Sequence, residues 1–119
     1  MFTSRFLPSG SREQWDELNE LQRRTTSPAN AAHFLRGVAG IDISAVAPQV
    51  RCPTLVLHVR GDRMPPVREG QLLAGLIPGS RFVSLDGDNH LVQEHEPAWP
   101  RLLAEIDDFL AGLGLVGVS

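Results

Sequence analysis

One run of seven residues constrains this chain more than any other: PTLVLHV, Pro53 to Val59. It is a continuous apolar, β-branched stretch of strand length, bounded by Pro53 and Gly61. A strand with one face in water alternates apolar and polar residues. A run without alternation fits a strand covered on both faces, as in a parallel sheet. A parallel neighbour needs a crossover, and the sequence supplies one. PVREGQLLAGLIPGS carries Val67, Leu72, Leu73, Leu76 and Ile77 at helical spacing and stops at Pro-Gly-Ser. RFVSL then has the pattern of a second strand, ended by DGDNH. EPAWPRLLAEIDDFLAGLG is a helix through Trp99, Leu102, Leu103, Ile106, Phe109 and Leu110, closed by Gly112 and Gly114. Strand, helix, strand, helix predicts an α/β fold with parallel strands and a right-handed crossover.

Before Cys52 the signals are all helical. Ser11 is an N-cap for REQWDELNELQRR, which sets Trp15, Leu18 and Leu21 on one face and ends on Arg23 and Arg24. Ser27 caps a second helix with Pro28 at its first position. Its apolar residues are Ala31, Phe34, Leu35 and Val38, and Gly40 ends it. IDISAVAPQV is short and predicts a helical turn leading into Pro48. The expected organisation is a helical segment over 1–50 and a βαβα part over 51–119, built as one structural unit. Cys52, before Pro53, is expected to be a small buried filler.

A chain of 119 residues makes one ordinary domain. At 42% hydrophobic and 21% charged, the composition is that of a soluble globular protein. The net charge is -3 with both signs interspersed, and the absence of a basic stripe argues against a nucleic-acid partner. The longest apolar stretches fall far short of a membrane span. MFTSRFLPSGSRE has no apolar core of a signal peptide, and a single cysteine forms no internal disulfide. The expected location is therefore the cytoplasm.

Two stretches carry chemistry: LVLHVRGDRMPP and DGDNH. Each leaves a strand, breaks at a glycine and presents an acid or a histidine. Functional groups in open α/β sheets collect at the carboxyl ends of the strands. Adjacent parallel strands lie about 4.8 Å apart, so Asp62 and His90 can meet. A carboxylate beside an imidazole fixes its tautomer and stabilises the imidazolium formed when it takes a proton. A metal site from Asp86, Asp88, His90, Glu94 and His95 is the competing idea, but its spacing matches no ligand signature. No cofactor is implied. His58, inside the apolar strand, is expected to be a satisfied core histidine, and His33 a surface one. Trp15, Phe34 and Trp99 are expected to pack rather than to cage a ligand.

The segments CPTLVLHVRGDRMPP, IPGSRFVSLDGDNH and EHEPAWPRLLAEIDDFL resemble the C-terminal part of α/β-hydrolase-fold proteins. The likeness is greatest to bacterial hydrolase-like domains, some of which are fused to helix-turn-helix regulators or nucleotide cyclases. It covers most of this chain but less than half of a full family domain. The resemblance implies that Asp62 is the triad acid, His90 the triad histidine and residues 1 to about 50 lid helices. The order acid, then histidine, agrees with the family's Ser, Asp/Glu, His. Pro65 departs from it, standing where an apolar residue usually precedes the proline matched by Pro66.

The larger departure is the nucleophile. The family's serine sits in a G-x-S-x-G elbow, and no such motif occurs. Ser9 and Ser11 flank Gly10, but no strand feeds that turn; Ser80 ends a helix and Ser84 lies within a strand. The expected function is thus that of a hydrolase-family fragment that bears the acid and the histidine of an acyl-hydrolysing site and is inactive alone. A non-catalytic module that binds a small molecule is the alternative. Two parallel strands also leave an exposed edge, which predicts self-association or a partner chain.

Overall fold

The computed structural model describes residues 2–115. In chain order these form α1 (Phe2–Phe6), α2 (Arg12–Thr25), α3 (Pro28–Ala39), a 3-10 turn (Ala47–Gln49), β1 (Leu55–Val59), α4 (Val67–Leu76), β2 (Arg81–Leu85) and α5 (Ala98–Gly112). The protein is mixed α/β. β1 and β2 run parallel, with Leu55 opposite Arg81, Leu57 opposite Val83 and Val59 opposite Leu85.

Alternation along the strands assigns the two faces. Leu55, Leu57 and Val59 join Val83 and Leu85 on one face, where Ala98 and Leu102 of α5 complete the core. The intervening His58 points to the other face, against Gly70 of α4. A helix thus covers each face of the sheet, which is why the β1 sequence does not alternate. Among the described residues only seven apolar side chains are buried: Leu7, Ala47, Val59, Ile77, Val83, Leu85 and Ala98. Each large aliphatic one contributes roughly 1.5–3 kcal/mol.

This core is small for the chain. The accessible surface is 8551 Å²; a folded monomer of 13.0 kDa is expected to show about 6,300 Å². The radius of gyration is 16.3 Å, against about 13.5 Å expected for 119 residues. The excess has visible sources. α3 approaches no other described helix or strand within 8 Å between Cα atoms. A cavity of about 970 Å³ opens beside β1, lined by Ile41, Ile43, Val56, Leu57, Leu72 and Leu76 among others. Among the described residues the far edge of β1 has no partner strand. Nor does β1 carry the charges or prolines that usually blunt such an edge.

Several sequence expectations are corrected. Cys52 is exposed, because it lies ahead of the sheet, which begins only at Leu55. Phe34 is 68% exposed and does not pack, because among the described residues α3 comes close to no other helix or strand. α1 was not foreseen: FTSRF has neither cap nor periodicity enough to announce a helix. No helix among the described residues is long and apolar enough to cross a membrane.

Candidate functional site

The site lies beyond the carboxyl ends of the strands, where two loops cross. Residues 60–66 leave β1, and residues 86–97 leave β2. Backbone bonds staple them: Arg60 N–H to Leu85 O at 2.7 Å and Gly61 N–H to Gly87 O at 2.9 Å. The approach is too close for any side chain on residue 61. A Cβ there would fall 2.7 Å from Gly87 O and into the Asp88 carboxylate. Gly61 is therefore what lets Asp62 reach the second loop.

Asp62 is buried, with its side chain 3% exposed, while His90 is 36% exposed. An ionised carboxylate out of water needs donors, and both oxygens have them. Oδ1 accepts the Met64 N–H at 2.8 Å. Oδ2 accepts from His90 Nδ1 at 2.6 Å. Because an ionised carboxylate can only accept, this bond calls for a proton on His90 Nδ1, and in the neutral ring Nε2 then carries the lone pair. Among the described residues no group bonds that Nε2. It is placed to take a proton from an incoming hydroxyl or water.

The N-terminal segment holds the histidine in place. Phe6 O accepts the His90 N–H at 2.7 Å, and the Phe6 ring lies 5.4 Å from the imidazole at a 55° tilt. Asn89, 2% exposed, accepts the Ser9 N–H at 2.9 Å. Its amide donates to Glu96 Oε2 at 3.1 Å, and that oxygen also accepts the Gln93 N–H at 2.6 Å. This Ser9–Asn89–Glu96 chain ties the start of the protein to the histidine loop. It was not legible in the sequence, since Ser9 and Asn89 are 80 positions apart.

His90 borders three cavities. One, about 930 Å³, lies between α2, α3 and the histidine loop, and is lined by Phe6, Leu18, Phe34, Leu35 and Leu91 among others. A second is the cavity beside β1, of about 970 Å³. A small one of about 190 Å³ reaches back to Asp62 and Leu102. The imidazole thus stands between an apolar groove and the open edge of the sheet.

The other sequence candidates disperse. Asp86 pairs with Arg60 at 3.3 Å, Asp88 accepts from the Ser9 hydroxyl at 3.2 Å, and Glu94 and His95 are exposed. Among the described residues no three His, Cys, Asp or Glu side chains converge as a metal site. His33 is exposed. His58 is satisfied as expected, by Pro65 O at 2.9 Å, and it also faces Asp62, which the sequence did not suggest. Both strand-to-helix connections, 60–66 and 86–97, contain no serine and no cysteine. Ser11 and Ser27 cap helices, Ser44 donates to Asp42 and Ser80 to Ala74 O. Comparison with family models, curated proteins and solved structures finds no match to this chain.

Proposed function

We propose that Asp62 and His90 are the acid and the general base of a serine-hydrolase-type site of the α/β-hydrolase kind, acting on an ester, amide or other small acyl group. The observation that carries this reading is the 2.6 Å bond from His90 Nδ1 to the buried Asp62. His90 Nε2 takes the proton of a hydroxyl nucleophile as that oxygen attacks the acyl carbon, then returns it to the leaving group. Asp62 holds the ring in the required tautomer and stabilises its charged form. The nucleophile comes from a further segment or a second chain docked along the open edge of β1. Triad members act as a unit, so residues 1–119 alone are a poor catalyst or none.

The test is hydrolysis of a short-chain p-nitrophenyl ester. The chain alone is expected to be inactive and, by sedimentation, to self-associate. Co-expression with an upstream-encoded segment bearing a G-x-S-x-G elbow is expected to give hydrolysis that His90→Ala abolishes. Hydrolysis by the chain alone, lost in His90→Ala, would overturn the placement of the nucleophile. Restored hydrolysis indifferent to His90 would overturn the role of the pair.

The apolar groove of about 930 Å³ beside His90 favours one other reading, a binding module that turns nothing over. Its sign is thermal stabilisation by a non-hydrolysable acyl analogue that persists in His90→Ala.

A further inference from the structure

We propose that His58 is a positioning residue of this site, its Nε2–H holding the Asp62 carboxylate in the orientation that His90 uses. The inference rests on the Asp62–His90 pairing described above and adds a third member to it.

The geometry assigns the proton. His58 Nε2 faces Pro65 O at 2.9 Å and Asp62 Oδ2 at 3.5 Å. Both are acceptors, so Nε2 must carry the hydrogen. At 2.9 Å the carbonyl takes the main bond; at 3.5 Å the carboxylate receives a secondary electrostatic contact. His58 therefore acts on both carboxylate oxygens. It reaches Oδ2 directly. It reaches Oδ1 through the loop, since fixing Pro65 O fixes the neighbouring Met64, whose N–H donates to Oδ1 at 2.8 Å. Oδ1 is thus tied to the loop by the Met64 N–H, and Oδ2 lies between the two imidazoles, bonded to His90 at 2.6 Å and 3.5 Å from His58 Nε2.

The ring is also held from its other edge. A Cβ on Gly70 would come within 2.4 Å of His58 Nδ1 and 3.0 Å of its Cγ. Gly70 is buried in the interior of α4, where glycine is a poorer helix former than alanine. The space it leaves is filled by the His58 ring, 10% exposed. An apolar side chain at position 58 would fill that space equally well but would donate nothing to Pro65 or Asp62. This separates a positioning role from a packing one.

The test reads the His90 ring in the ¹⁵N-labelled chain of residues 1–119 by NMR, with folding checked by circular dichroism. The wild-type chain is expected to show one His90 tautomer, Nδ1–H, with the far-downfield proton of a short imidazole–carboxylate bond. In His58→Leu, folded, that proton is expected to disappear and the tautomers to mix. His58→Gln keeps a donor near the Nε2 position and is expected to retain the signal. Gly70→Ala, a favourable helix substitution that displaces the ring, is expected to behave like His58→Leu. A folded His58→Leu or Gly70→Ala with the His90 signal intact would overturn the proposal. Should His58→Leu not fold, loss of the signal in folded His58→Gln would do the same. Absence of the signal in the wild-type chain would instead overturn the Asp62–His90 pairing, and with it the proposed function.

Discussion

Helices α2 and α3 and helices α4 and α5 are stabilised in opposite ways. α2 has a full capping box, Ser11 with Gln14, and α3 has Ser27 bonded to the Asn30 N–H, yet neither helix buries a residue. α4 and α5 begin at Pro66 and Pro97 with no side-chain cap, yet they cover the two faces of the sheet. Short helices are marginal in water without tertiary contacts. The packed pair draws its stability from the sheet and manages without caps. The unpacked pair depends on local devices: caps, the Glu20 ion pairs with Arg23 and Arg24, and arginines at the α2 C-terminus. The Asp62–His90 pair belongs to the packed region, and the groove beside it is walled by the unpacked one. The molecule therefore sets the hydrogen-bonded Asp62–His90 pair beside a groove whose helices bury no residue.

The strongest way to break this contrast is to remove a leucine from each region. Leu85 is 2% exposed, whereas Leu21 is 57% exposed. Leu85→Ala is expected to lower unfolding stability by about 2–5 kcal/mol, and Leu21→Ala by less than about 0.5 kcal/mol, both measured by urea denaturation. Equal effects would mean that α2 is packed in solution after all.

Asn89→Ala probes the joint between the regions. It leaves the Ser9 N–H without its acceptor and takes one of two donors from the Glu96 carboxylate, and is expected to destabilise by about 1–3 kcal/mol. Hydrogen exchange is expected to quicken first at residues 6–10, which would show that the N-terminal segment is held by this link.

The caps give a smaller and more local effect. Ser11→Ala and Ser27→Ala are each expected to weaken their helix by about 0.5–2 kcal/mol. Exchange is expected to rise within α2 or α3 while the β1 and β2 amides stay protected. A matching loss of protection in the strands would show that the two regions unfold together.

The smallest effect is electrostatic. Hydrogen bonds from Arg23, then Arg24, hold the exposed Glu20 carboxyl below its ordinary range. A carboxyl lowered on folding stabilises above its unfolded value, and that contribution is lost as the pH falls through the folded one. Far-ultraviolet helicity is expected to dip slightly below the usual carboxylate range, by less in Glu20→Gln and less at high salt. An unchanged dip in Glu20→Gln would assign it to other groups.

The strand–helix–strand–helix order was legible because its signals are local and strong. Unbroken apolar runs flanked by Pro and Gly mark strands, and RFVSL matches β2 residue for residue. The caps of α2 and α3 were legible for the same reason: a serine three residues before its amide partner is a short-range event. Whether a capped amphipathic helix finds something to pack on is a long-range matter, so Phe34 was expected to pack and does not. Cys52 failed similarly, because exposure depends on where the sheet begins.

Asp62 and His90 could be picked out from their places after two strands, but not joined. Their junction needs the parallel register of β1 and β2, the close pass at Gly61, and the anchoring of the histidine loop by Phe6 and Asn89. His58 and Gly70 belong to that second class too: the first sits in an apolar run and the second in a helix, and neither looks like part of a site. The sequence by itself determined which segments become strands and helices, and which carboxylate and imidazole stand at strand ends, because those follow from periodicity, caps and turns within a few residues. Only the tertiary structure decided which side chains share a proton and which helices stay uncovered, because contacts between residues far apart in the chain are set by how the elements meet in space.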